Sequence, residues 1–213
     1  MFDGLLFDLD GTLWDSVDAI CISWNRALER LAPEYAGTVT RARLLPGMGM
    51  LLPDILHRLV PELDQERMKP ILEEVLVEEN AYVAAHGGVL YPGVEQTLAV
   101  LAARWPLFLV SNCQDGYIEA FFQAHGLGRY FTDYENLGRT GLPKADNIAL
   151  VAERNGLRRP LYIGDTQGDY DAASKAGVPF LHAAYGFGRI DRPVPSVATF
   201  GDLPDAICRL TPP

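Results

Sequence analysis

The chain has 213 residues, of which 48% are hydrophobic and 22% are charged, as is usual for a globular protein with a substantial core. Its 28 acidic and 18 basic residues give a formal net charge of −10, which disfavours nonspecific binding to nucleic acid or to an anionic membrane. The sequence shows neither an apolar run long enough to span a bilayer nor a basic, apolar leader. Its three cysteines (Cys21, Cys113 and Cys208) lie far apart and in no metal-binding spacing. We therefore expect a cytoplasmic location, with no nucleic-acid partner and no membrane partner.

The first predicted element is a strand over residues 4–9, because its continuous apolar sequence is typical of a strand buried in a parallel sheet. From residue 15 to 87 the pattern changes to helices alone, with stretches at about 18–32, 41–59 (interrupted at 46–49) and 65–85. Further along, strands are predicted at 106–112, 161–165 and 179–185, with helices at about 93–104, 116–125, 144–155 and 168–176.

Strands that alternate with helices predict a parallel sheet with helices on both faces. The all-helical block has no place in that alternation. We therefore expect an α/β fold with a doubly wound, Rossmann-like parallel sheet as its core and an inserted all-α cap domain. The predicted core comprises residues 1–14 and 88–213, and the predicted cap comprises residues 15–87.

Polar side chains collect where the predicted strands end. Asp8 and Asp10 follow the first strand, Ser111 and Asn112 end the second, and Asp165 ends the third. Ligands of open parallel sheets bind beyond the carboxyl ends of the strands. Carboxylates that converge there would repel one another without a cation, and hard oxygen ligands suggest Mg²⁺.

The sequence resembles the haloacid dehalogenase-like superfamily of phosphohydrolases, in the branch of phosphoglycolate phosphatase and β-phosphoglucomutase. Four motifs carry the resemblance, in the expected order: Asp8-Leu-Asp-Gly-Thr-Leu, Ser111 after an apolar strand, Lys144 at the start of a helix, and Gly164-Asp-Thr-Gln-Gly-Asp. The resemblance covers essentially the whole chain and implies a helical cap that closes over the catalytic face and selects the substrate.

Residue chemistry and the resemblance together predict the catalytic roles. Asp8 is the expected nucleophile, which would form an aspartyl-phosphate, and Asp10 is the expected general acid and base. The predicted metal ligands are Asp8, Asp10 (in the family through its main-chain carbonyl) and Asp165.

The other predicted site residues bind phosphate or support the site. Ser111, Asn112, Lys144 and Thr12 form the predicted phosphate-binding set, and Thr12 is also expected to fix the Asp10 carboxylate. Asp169 is expected to hold Lys144 or a metal-bound water.

Lys144 departs from the family pattern, because the family lysine is followed by proline and this lysine is followed by Ala145. Asp146 could therefore compete for the Lys144 ammonium group.

The predicted function is Mg²⁺-dependent hydrolysis of a small phosphorylated metabolite. A sugar-phosphate mutase of the same superfamily is an alternative, disfavoured by Ile20 and Cys21 where mutases carry a cap histidine and by Thr12 where they tend to have valine. A noncatalytic phospho-ligand-binding protein is a second alternative, disfavoured by the intact aspartates. Phosphoglycolate, a sugar phosphate, a nucleoside monophosphate and pyrophosphate all stay open as substrates, and the oligomeric state is not predicted.

Overall fold

A computed structural model describes residues 1–210 of the chain. In chain order its strands are β1 (Gly4–Phe7), β2 (Trp14–Asp15), β3 (Val89–Leu90), β4 (Leu107–Ser111), β5 (Phe131–Asn136), β6 (Pro160–Gly164), β7 (Phe180–Ala183) and β8 (Ser196–Val197). Its helices are α1 (Val17–Leu31), α2 (Arg41–Leu44), α3 (Leu52–Leu59), α4 (Gln65–His86), α5 (Val94–Ala102), α6 (Tyr117–His125), α7 (Leu137–Thr140), α8 (Lys144–Arg154), α9 (Gln167–Lys175) and α10 (Leu203–Arg209). None of these helices is both long enough and apolar enough to cross a membrane.

Six strands form one parallel sheet in the order β5-β4-β1-β6-β7-β8. β1 lies between β4 and β6, with Leu6 opposite both Phe108 and Tyr162. Strands β2 and β3 form a separate antiparallel pair. This architecture confirms the predicted doubly wound, Rossmann-like α/β class.

Apolar side chains of β1, β4 and β6 form the centre of the core together with α8 and α9. The buried members of this cluster are Leu6, Phe108, Val110, Ile148, Val151, Tyr162, Ala173, Val178 and Phe180. Because parallel strands are covered by helices on both faces, the central strands are apolar along their whole length, and their polar side chains are confined to the carboxyl ends.

The chain divides into two compact units. The core unit contains Met1–Asp15, Val89–Asp115 and the chain from Leu127 onward, and the helical unit contains Ser16–Gly88 and Gly116–Gly126. Within the helical unit the indole N–H of Trp24 donates to the buried carboxylate of Glu79, which joins α1 to α4. The predicted domain boundaries stay a prediction, and the last three residues of the predicted core lie outside the described residues.

Two strands of the sheet have no counterpart among the predicted elements. β5 carries Asp133 and Glu135, whose carboxylates accept hydrogen bonds from Arg154, and β8 has only two residues. Both are edge strands, which need no continuous apolar sequence because one side is open. The first strand also ends at Phe7, two residues earlier than predicted, so that Asp8 starts the loop.

Candidate active site

The first aspartate of the site continues the path of β1. The N–H of Asp8 donates to the carbonyl of Ile163 at 2.8 Å, so the backbone is still hydrogen-bonded to β6 where the loop begins. Its side chain is 3% exposed at the carboxyl end of the sheet. Burial, and then the nearby charge of Asp169, raise the pKa of Asp8 to about 7, although Lys144 acts in the opposite direction.

Lys144 lies between two buried carboxylates. Its Nζ donates to Asp8 Oδ1 at 2.8 Å and to Asp169 Oδ1 at 2.6 Å. Burial disfavours the ammonium form, yet the charges of Asp169 and Asp8 outweigh it and raise the pKa of Lys144 well above its usual value. Asp146, the residue that could have competed for this lysine, lies 3.7 Å from Lys175 Nζ instead. The lysine is thus a buried cation aimed at the end of β1.

Asp169 is held from both sides. Its Oδ2 accepts from the N–H and the hydroxyl of Thr166, and the Thr166 hydroxyl caps Asp169 N–H in return, which forms a capping box at the start of α9. Although burial acts to raise it, the ammonium of Lys144 and these hydrogen bonds hold the pKa of Asp169 below its usual value. The lowered pKa favours the ionised form of Asp169, whose Oδ1 accepts from Lys144. The expected role of Asp169, to hold Lys144 or a metal-bound water, stays a prediction.

Asp165 is surrounded by a loop that the sequence analysis did not assign to the site. The main-chain N–H groups of Phe187 and Gly188 donate to Asp165 Oδ2 at 2.7 and 3.3 Å. A Cβ on Gly186 would lie 2.3 Å from the carbonyl oxygen of Gly11 and 2.4 Å from Asp165 Cβ, so only glycine fits there. Main-chain donors leave no side-chain signature, and the Tyr185-Gly-Phe-Gly sequence is the only signal that could have indicated this loop.

The loop after β1 differs in one contact from the prediction. The Thr12 hydroxyl donates to Asp165 Oδ1 at 3.5 Å, whereas it was expected to fix the Asp10 carboxylate. Asp10 Oδ1 accepts from the indole N–H of Trp14 at 2.9 Å. Trp14 was not predicted as a site residue, although its spacing of four from Asp10 places it across a tight turn.

The two remaining predicted residues end β4. Ser111 is 4% exposed, and Asn112 follows it as a half-buried residue. Ser111 is in register with Asn136 of β5. Because β4 is adjacent to β1, Ser111 and Asp8 end neighbouring strands at the same edge of the sheet.

Three buried carboxylates could hold a metal ion. One oxygen from each of Asp8, Asp165 and Asp169 lies within 4.8 Å of the other two. Burial and the charges of Asp169 and Asp8 raise the pKa of Asp165 well above its usual value, because ionised carboxylates this close together repel one another. A bound cation would relieve that repulsion and favour the ionised form. Such hard oxygen donors fit a small divalent cation. The predicted set contained Asp10 in place of Asp169, whose oxygens already accept from Lys144 and Thr166.

Comparison with known proteins shows the family to which the chain belongs. Residues 5–183 match the model of the haloacid dehalogenase-like hydrolase family. The chain belongs to this family. Phosphoglycolate phosphatase of Escherichia coli (strain K12) is 30% identical, in an alignment that covers 86% of this chain and 82% of that protein. Solved structures also match the fold of this chain. One, described as a haloacid dehalogenase-like hydrolase from Bacteroides fragilis, has a TM-score of 0.82 at 25% identity and covers 95% of this chain and 100% of its own. Another, described as a predicted phosphoglycolate phosphatase from Haemophilus somnus, has a TM-score of 0.81 at 22% identity. That alignment covers 97% of this chain and 98% of the other chain.

The curated relatives indicate the class of enzyme. The chain is a phosphatase of the haloacid dehalogenase-like family, and relatives such as the Escherichia coli protein are named phosphoglycolate phosphatase. The predicted resemblance is thereby confirmed.

Proposed function

We propose that this protein is a Mg²⁺-dependent phosphatase that hydrolyses a small phosphorylated metabolite through an aspartyl-phosphate on Asp8. The contact between Lys144 and Asp8 supports the proposal most strongly, because it brings a cation to the carboxylate at the end of a central strand. A phosphoryl group at Asp8 would meet the positive charge that its oxygens require.

The proposed reaction consists of two successive displacements at phosphorus. A carboxylate oxygen of Asp8 attacks phosphorus, the bond from phosphorus to the leaving oxygen breaks, and Asp10 gives that oxygen its proton. Asp10 then takes a proton from water, whose oxygen attacks phosphorus and breaks the bond to Asp8. Trp14 orients Asp10 for both transfers through the 2.9 Å hydrogen bond to Oδ1.

The other residues of the site bind the phosphoryl group or neutralise charge around it. Lys144 and Ser111 bind the phosphoryl oxygens, and Asp169 keeps Lys144 in place. Asn112 and Thr12 are the further proposed phosphate ligands, and the Thr12 hydroxyl, which donates to Asp165 Oδ1 in this structure, would have to turn to the phosphate. Asp8 and Asp165, with Asp10, would hold Mg²⁺. When bound, the ion supplies positive charge that offsets the buried carboxylates and the phosphate.

The printed names of the relatives make phosphoglycolate the first substrate to test. We also propose a cytoplasmic location, which the three unpaired thiols support.

The proposal is tested by phosphate release from p-nitrophenyl phosphate and from phosphoglycolate, each with Mg²⁺ and with EDTA. We expect turnover only with Mg²⁺, loss of turnover by at least about a thousandfold in Asp8→Asn, and one phosphoryl group on the intact wild-type chain by mass spectrometry. Asp146→Asn is the matched control, since that carboxylate is exposed and contacts Lys175. Equal rates for wild type and Asp8→Asn would overturn the nucleophile assignment.

A further inference from the structure

The segment that leads into Lys144 carries polar contacts that the proposed function leaves unexplained. Thr140 Oγ1, at the end of α7, lies 2.9 Å from Asn147 Oδ1 and 3.0 Å from the carbonyl oxygen of Asn136. The same oxygen accepts the N–H of Leu142 at 3.1 Å, and Asn147 Nδ2 donates to the carbonyl of Leu142 at 3.0 Å. These contacts tie the three-residue loop between α7 and α8 to the first two turns of α8.

The amide of Asn147 has only one consistent orientation. The carbonyl of Leu142 can only accept a hydrogen bond, so it must face the NH₂ group. Oδ1 then faces Thr140 Oγ1 and has no other hydrogen-bond donor among the described residues, so the single hydroxyl proton is assigned to Oδ1 rather than to the carbonyl of Asn136 at 3.0 Å. Because Asn147 is fully buried, loss of the Thr140 hydroxyl would leave Oδ1 without a partner, which favours a shift of the loop.

Asn147 also holds both peptide groups that precede Lys144. Its side chain binds the carbonyl of Leu142, and its main-chain N–H donates to the carbonyl of Pro143 at 3.1 Å. Pro143 occupies the N-cap position of α8 and provides no side-chain cap. The start of α8, from which the Lys144 side chain extends, is therefore held by Asn147 and Thr140 in place of a conventional cap.

The other end of α7 abuts the loop after Ser111. The N–H of Gly138 donates to the carbonyl of Cys113 at 3.1 Å. A Cβ on Gly138 would lie 2.2 Å from the main-chain nitrogen of Asp115, so the two backbones are in direct contact. The single turn of α7 thus connects the loop after Ser111 to the start of α8.

We propose that Thr140 and Asn147 are positioning residues for Lys144, through the hydrogen bond between their side chains. The proposal rests on the proposed function in one respect, namely that Lys144 binds the phosphoryl group. Lys144 must satisfy two contacts below 3 Å at once, and a displacement of about 1 Å at a reacting group is enough to cost about a hundredfold in rate.

The test replaces Thr140 by valine, which has nearly the same shape but no hydroxyl. In Thr140→Val we expect the inhibition constant of inorganic phosphate to rise about tenfold and kcat for p-nitrophenyl phosphate to fall about tenfold. Thr140→Ser keeps the hydroxyl and should restore both values. Asn155→Ala is the matched control, because Asn155 follows the other end of α8 and donates to Asp133 at 2.7 Å and to the carbonyl of Val151 at 2.9 Å. This control should lower the unfolding temperature and leave both constants unchanged.

An unchanged phosphate inhibition constant in a folded Thr140→Val protein overturns the proposal, as does an equal change in Asn155→Ala. If Thr140→Val does not fold, Asn147→Ser is measured in its place by the same criterion. If wild type binds phosphate, shown as protection against heat, but turns over no ester, the proposed function fails, and a weaker protection of Thr140→Val by phosphate still supports the positioning role. If phosphate protects neither protein, both proposals fail.

Discussion

At the scale of single residues, Lys144 forms ion pairs with two buried carboxylates of the core unit. Its ammonium group contacts Asp8 and Asp169, all three are buried, and burial without a partner would be costly for each of them. Removing the lysine therefore leaves two carboxylates without a cation.

We expect Lys144→Met to lower kcat/KM by at least about a hundredfold, because the phosphoryl oxygens lose their charged donor. Folding should also be destabilised by roughly 3–5 kcal/mol, the range for breaking a buried ion pair from one side. Steady-state kinetics and urea unfolding measure the two effects. Lys175→Met, which removes an exposed ammonium, should change neither, and wild-type kinetics in Lys144→Met would contradict the assigned role.

The raised pKa of Asp8 predicts the pH dependence of activity. The nucleophile must be ionised, so with a pKa of about 7 the rate falls as the pH drops through neutrality. A bound cation favours the carboxylate and lowers that pKa. We therefore expect the acid limb of the kcat/KM profile to move to lower pH as Mg²⁺ is raised from subsaturating to saturating. An acid limb that does not depend on Mg²⁺ would show that Asp8 and the ion are not neighbours.

At the scale of elements, α9 presents Asp169 to Lys144 through its first turn. The capping box between Thr166 and Asp169 satisfies the first N–H groups of the helix and fixes the carboxylate at the same time. Helix stability and site geometry are thus linked at this terminus.

We expect Thr166→Ala to lower the free energy of unfolding by about 1 kcal/mol, the usual cost of an N-cap, and to lower kcat as well. Thr166→Ser should retain both. Thr199→Ala removes a similar capping box, which Thr199 forms with the exposed Asp202 just before α10, and should affect stability alone. Equal kinetic effects of the two alanine variants would refute a specific link between the α9 cap and the site.

At the scale of the whole molecule, we expect the carboxylate cluster to make stability depend on pH and on Mg²⁺. The pKa of Asp8 is about 7 in the folded chain, against 3.8 as the ordinary value, so the folded state binds more protons over this range. Stability therefore falls as the pH rises from about 4 to 7, by at most about 1.4 kcal/mol per pH unit for one such group.

We expect the unfolding temperature in EDTA to fall between pH 5 and pH 7.5, relative to an Asp8→Asn variant in which this titration is absent. Mg²⁺ should raise it most at the upper end of the range, where the carboxylates are ionised. Calorimetry at four pH values, with and without Mg²⁺, measures both effects. Protection by Mg²⁺ that is greatest at pH 5 would contradict the link between the ion and this cluster.

The sequence by itself determined the fold class, the central strands and the strand-end residues, because each has a local cause. A strand buried on both faces must be apolar along its length, and its first polar side chain comes at the last residue of the strand or just after it. Asp8, Ser111 and Asp165 are all found in this way. Edge strands β5 and β8 escaped prediction because an open side does not require an apolar sequence.

Only the tertiary structure decided which groups touch. Lys144 is 136 residues from Asp8 and 25 from Asp169, and no local pattern states that one ammonium reaches both. The Thr12 hydroxyl turns to Asp165, 153 residues away, and that carboxylate also accepts two main-chain N–H groups from the 187–188 loop. Every residue except proline has a main-chain N–H, so a contact through that group cannot be recognised from the residue type. The direction of a side chain is set by what packs around it. These contacts are therefore properties of the folded chain.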